Sequence, residues 1–262
     1  MRKLALITGA SAGIGAAFAI RYASMGFDLV LTARREDRLR TLASSLSQQY
    51  DIEVIVVPMD LALPTAPKRL LDRIEEAGRH VDVLINNAGY GLPGTFTQTS
   101  WEDQRDFMQV LLTAPTELCH RLLPGMLTRR FGRIINVASL AGFTPGSNGH
   151  TLYGPVKAAM IRLSESLNAE TRGTGVNVMA LCPGLTRSEF HDVNGARERL
   201  KDLPEYMWQT AEEVVESACY AVEDNRPVLV TGGVNKLLAA TAQVLPGPIA
   251  RALMREQSKR FR

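Results

Sequence analysis

Short apolar runs recur along the chain. Between them lie longer stretches in which apolar positions return every three or four residues. Residues 4–7, 29–32, 54–57, 81–85, 133–137, 176–181 and 228–231 read as strands, several of them rich in Val, Ile and Leu. Residues 14–25, 36–48, 67–77, 101–127, 153–171 and 211–222 carry helical spacing. Strands that are apolar on both faces belong in a parallel sheet covered on both sides. Their alternation with helices predicts an α/β fold of Rossmann type: a doubly wound, about seven-stranded parallel sheet with helices on both faces. One domain is expected over residues 1–233. Residues 190–207 form a poorly patterned insertion between a strand and a helix, where substrate lids occur.

Composition narrows the function. There are 30 Lys+Arg against 27 Asp+Glu, a net charge of +3, with no long basic block before the last few residues, so nucleic acid is not an expected partner. Cys119, Cys182 and Cys219 are odd in number and widely spaced. No disulfide framework is expected, which suits a reducing, cytoplasmic setting. The apolar stretch 237–254 is interrupted by Pro246, Pro248 and Arg251, too broken to span a bilayer. His80, His120, His150 and His191 are scattered, and no Cys/His spacing resembles a metal site.

The first strand runs into Thr8-Gly9-Ala10-Ser11-Ala12-Gly13-Ile14-Gly15, which then opens a helix. Glycine lets the backbone turn tightly and approach a phosphate closely, and the free N–H groups of a helix start face an anion. This predicts a nucleotide site, with a plain tight turn as its alternative. The second strand ends Leu31-Thr32-Ala33-Arg34-Arg35, with two guanidiniums and no carboxylate at its tip. A carboxylate there would bind a ribose 2′-hydroxyl, whereas arginine accepts a 2′-phosphate. NADP(H) is therefore expected over NAD(H), unless the pair is simply solvated.

The glycine turn, with Asn86-Asn87-Ala88-Gly89, Ser139, Tyr153 four residues before Lys157, and Pro183-Gly184, resembles the short-chain dehydrogenase/reductase family. The resemblance runs in order from about residue 4 to 233. It implies a nicotinamide cofactor and carbonyl/alcohol redox chemistry. It also implies cofactor contacts from Gly9, Ser11, Gly13, Ile14, Gly15, Arg34, Arg35, Asp60, Leu61, Asn87, Ala88, Gly89, Tyr153, Lys157, Pro183, Gly184, Thr186 and Ser188. Asp60 could equally cap a helix, and Asn87 could serve the strand end.

Reduction needs a hydride, a proton and a hold on the developing oxyanion. The cofactor brings the hydride. Tyr153 is the expected proton donor, and a free tyrosine pKa of about 10 must move toward neutrality for that task. Lys157 lies on the same helical face, and its charge is expected to lower the Tyr153 pKa. Ser139 would hold the substrate oxygen. Tyr90, Phe143, His150 and Phe190 are pocket candidates from loops at the carboxyl ends of strands, and each could equally be core or solvated loop. A small-molecule hydrophobic carbonyl or alcohol is the expected substrate.

One position departs from the family. Leu111 stands where the family has an asparagine, which holds a water linking the lysine to solvent. Leucine cannot hydrogen-bond, and helical phase turns Gln109 and Thr113 away from it. A second reading follows: an NADP(H)-binding sensor or partner-binding subunit with little catalysis. The tail 234–262 is amphipathic and basic, and should cover the cleft, pack on a neighbouring subunit or, less expected, lie on a membrane surface. Helices 101–127 and 153–171 resemble the family's subunit-pairing helices, so a homodimer or homotetramer is expected.

Overall fold

The computed structural model describes residues 1–146, 148–149, 151–187, 204–245 and 247–248. Seven parallel strands form one sheet in the order β3-β2-β1-β4-β5-β6-β9. They are β1 (Leu4–Thr8), β2 (Asp28–Thr32), β3 (Val54–Val56), β4 (Val83–Asn86), β5 (Gly132–Val137), β6 (Val176–Cys182) and β9 (Val228–Val230). The expected seven-stranded parallel sheet is thus present. A small parallel pair, β7 (Leu185–Thr186) with β8 (Trp208–Gln209), has two residues per strand, too few to show a sequence period.

Alternate side chains along each strand go to opposite faces. Ala5 and Ile7 of β1 face α1 (Gly13–Ser24), α2 (Glu36–Tyr50) and α7 (Ala211–Glu223), within a core that includes Phe18, Leu39 and Val214. Leu4 and Leu6 face the other way, toward α3 (Ala66–Glu76), α5 (Ala114–Arg129) and α6 (Tyr153–Glu170). Both faces are therefore dry, which explains why the strands lack a polar alternation.

Two strand ends differ from the sequence reading for the same reason. The carboxylate of Asp28 lies inside β2, where Glu53 N–H donates to it (2.9 Å) and Arg79 pairs with it (2.8 Å). Before β4, the Asp82 carboxylate accepts from Leu4 N–H (2.9 Å), and the strand begins at Val83. Both carboxylates are bound at the strands' N-terminal edge, far from the nucleotide turn.

The long helical pattern 101–127 is not one helix. It divides into α4 (Trp101–Met108), a π turn over Gln109–Thr113, and α5. Pro115 has no N–H for the Leu111 carbonyl and its ring collides with that group in an α-helix, so a wider turn is formed there. After β9 comes α8 (Gly233–Val244). It turns Asn235 and Ala239 inward, while Leu237, Leu238 and Val244 lie exposed in the single chain.

Candidate active site

The strand order reverses between β1 and β4, and ligands bind at the carboxyl ends of strands flanking such a reversal. Thr8 closes β1 there. Its Oγ1 accepts from the N–H groups of Asn87 (2.9 Å) and Ala88 (3.0 Å) and donates to Ile85 O (3.3 Å). Asn87 answers with its side chain, donating from Nδ2 to Thr8 O (3.0 Å) and Gly9 O (3.2 Å). Of the two roles open to Asn87 in the sequence, its amide nitrogen serves the strand end.

Gly9 has φ +66°, and a Cβ on it would lie 2.8 Å from Ala88 Cα. A Cβ on Gly15 would lie 2.3 Å from Gly9 O. No side chain larger than hydrogen fits either place. Ala12, the residue before α1, offers no side-chain cap, so the first-turn N–H groups remain directed at whatever enters the turn. Arg35 donates to Ser11 Oγ from Nε (3.2 Å) and Nη2 (3.0 Å), and Arg34 is exposed beside it. This bare glycine cradle with a guanidinium at its edge fits a dinucleotide phosphate.

The remaining cofactor candidates lie beside this turn, after β3 and after β6. Ile14 and Ala88 are half-buried beside the turn, Gly13 opens α1 with φ +55°, and Gly89 is exposed. Asp60 Oδ1 accepts from Ala62 N–H (3.0 Å) and so caps a turn, while Leu61 is buried with Phe107 and Leu111. Pro183 O accepts from Leu140 N–H (3.0 Å), tying the Pro-Gly turn to the Ser139 loop. Thr186 is buried and donates to Gly184 O (3.3 Å). Asn235 packs against Gly184, near enough that a Cβ there would lie 2.3 Å from its amide nitrogen. Nothing in the sequence marks Asn235, because the contact joins two turns 51 positions apart.

Ser139, Tyr153 and Lys157 meet at the ends of β5 and α6. Ser139 precedes a 3-10 turn (Leu140–Phe143), accepts from Ala141 N–H (3.1 Å) and sits beside the Tyr153 hydroxyl, whose pKa it holds down. Tyr153 is the first residue of α6, and Lys157 follows one turn later. Lys157 is 6% exposed and donates from Nζ to Val137 O (2.7 Å). Its Nζ lies 5.7 Å from the centre of the Tyr153 ring.

The electrostatics correct one expectation. Burial pushes the Tyr153 phenol above its ordinary value, and Ser139 pulls against that. The net direction is upward, so the lowering expected from Lys157 does not outweigh burial in the chain alone. Burial has pushed the Lys157 amine itself down to about 8, so it keeps its charge at neutral pH and loses it as pH rises through 8. With its own value raised, Tyr153 is protonated at neutral pH, the state required of a proton donor.

Leu111 lies in the π turn, buried against Gly89, and lines a small cavity with Asn86 and Lys157. Thr113 is exposed and Gln109 half-buried. Tyr90 packs edge-on over Phe107 (5.4 Å between centroids), and Phe143 packs on the core around Met160 and Ile161. Phe143 thus contributes to packing. His150, Ser188 and Phe190 lie outside the described residues.

This fold and this arrangement define an oxidoreductase of the Rossmann class. A family profile described as short chain dehydrogenase matches residues 3–199, and the chain belongs to that family. Sulfoacetaldehyde reductase 2 of Chromohalobacter salexigens is 35% identical over 192 residues, 72% of this chain and 75% of its own length. A short-chain dehydrogenase from Sphingobium yanoikuyae, solved in complex with NADPH, has a TM-score of 0.81 at 32% identity, covering 96% of this chain and 94% of that one. L-sorbose reductase from Gluconobacter frateurii, complexed with NADPH and L-sorbose, has a TM-score of 0.78 at 28% identity, covering 88% and 95%.

Proposed function

We propose that the protein is an NADP(H)-dependent oxidoreductase that interconverts a carbonyl and an alcohol. The observation that carries this is Ser139 beside the Tyr153 hydroxyl with Lys157 one turn on, next to a glycine cradle shaped for a phosphate. Gly9, Gly13, Gly15, Ser11, Arg34 and Arg35 would hold the dinucleotide. The NADPH found in two structural relatives supports the choice of NADP(H). Bound there, the cofactor supplies the hydride.

The chain's own groups do the rest. Ser139 Oγ and the Tyr153 hydroxyl hold the carbonyl oxygen, and Tyr153 gives it a proton as charge develops. The phenol is protonated and so has a proton to give, but burial makes it a weaker acid, and the reducing direction needs the positive charge of Lys157 and the bound cofactor to offset that. Lys157 supplies positive charge near the resulting tyrosinate. Tyr90 and the apolar residues around it favour a hydrophobic substrate. A homodimer or homotetramer is the expected assembly.

NADPH oxidation across a panel of ketones and aldehydes, with Tyr153→Phe alongside, tests the reading. Turnover in the unaltered chain and a fall of at least about a hundredfold in the variant support it. Leu111 favours the second reading, a cofactor-binding sensor. That reading expects NADPH to bind and no carbonyl to be turned over.

A further inference from the structure

A second cavity lies beside Tyr153, between α4 and the segments 92–99 and 151–152. It has room for one hydroxyl. Leu92, Phe96, Phe107, Leu152 and the Tyr153 side of α6 make it mostly apolar. Phe96 is 51% exposed, so this wall of the cavity reaches the surface.

Gln104 is among its polar lining residues. The residue is 4% exposed. Its Nε2 donates to Phe96 O (2.8 Å) and Thr99 Oγ1 (2.9 Å). A backbone carbonyl only accepts, so the Phe96 bond fixes which end of the amide is nitrogen. The other end, Oε1, is buried and has no hydrogen-bond partner among the described residues. Buried acceptors are rarely left unmade, because the lost hydration is not recovered elsewhere.

We propose that Gln104 is a specificity-determining residue whose Oε1 accepts a hydrogen bond from a hydroxyl on the substrate, so that the preferred substrates are apolar carbonyl compounds carrying one hydroxyl. This rests on the carbonyl-reductase reading above and names the substrate class for the same site. The amide oxygen takes a donor and nothing else. An ether oxygen at that place meets it as a second acceptor, and a C–H leaves it unsatisfied.

The test uses the full chain with NADPH. kcat/KM is measured for cyclohexanone, for its 2-, 3- and 4-hydroxy derivatives, and for the matching methyl ethers. One hydroxy isomer is expected to exceed both the parent ketone and its own methyl ether by about tenfold. In Gln104→Met that advantage is expected to shrink to about twofold or less. If that variant fails to fold because it also frees Phe96 O, the methyl-ether comparison on the unaltered chain carries the test alone. Equal kcat/KM for hydroxy ketone and ether overturns the inference and leaves a site for a structural water, with the reductase reading intact. Absence of Tyr153-dependent turnover on every ketone overturns both.

Discussion

Lys157 gives the site its pH dependence. Its amine titrates near 8 in the folded chain, against about 10.4 when unburied. Below pH 8 the charge is present in both folded and unfolded chains, and burying it costs stability. Between about 8 and 10.4 only the unfolded chain keeps the proton, so this residue's penalty is relieved as pH rises. Activity runs the opposite way, since the charge is lost as pH rises through 8 while Tyr153 stays protonated. Carbonyl reduction is therefore expected to decline above about pH 8. Lys157→Arg, which holds its charge, should move that limb upward; an unchanged limb assigns it to another group. Ser139, Tyr153 and Lys157 were legible in the sequence because their spacing reflects one helical turn and one strand end. Their relative electrostatics were not, because desolvation depends on neighbours from β5 and β6 that no local pattern reveals. Gln104 was hidden for the same reason: a polar residue on a helix reads as solvated until its neighbours are known.

At the scale of elements, Thr8 joins β1 to the residues after β4. Thr8→Val keeps the shape but leaves the Asn87 and Ala88 N–H groups without their acceptor. A loss of about 2–4 kcal/mol is expected, together with weaker NADPH binding, read by urea denaturation and by titration. A stability unchanged within about 0.5 kcal/mol would show that water replaces the hydroxyl. The strands and most helices were readable from period alone. The π turn was not, because apolar spacing continued through it and only Pro115 signalled the break. The tail shows the converse: its apolar stripe was plain, yet α8 packs through Asn235 and Ala239. Small size and a hydrogen bond to Thr231 O (2.9 Å), not hydrophobicity, select that face.

For the whole molecule, the sheet reversal places the glycine turn, the Asn-Asn-Ala-Gly segment and the Ser139 loop at one edge, while the Asp28–Arg79 pair secures the opposite edge. A ligand bound only by the folded chain stabilises it by mass action. At a hundredfold excess over its Kd, NADPH should add about 2.7 kcal/mol and raise Tm by about 5–10 °C. NADH at the same concentration should add less. Replacing Arg34 and Arg35 together with Ala should remove the difference; a preference that survives places the 2′-phosphate elsewhere.

The central claim is a hydride transfer completed by a proton from Tyr153. It is tested most directly with NADPH deuterated at the nicotinamide C4, a reducible ketone, and mass spectrometry of the alcohol formed. The expected result is deuterium on the carbinol carbon with the unaltered chain and almost none with Tyr153→Phe, although the variant still binds NADPH. Deuterium transfer that persists in the variant, or tight NADPH binding with no labelled alcohol from either chain, would contradict it.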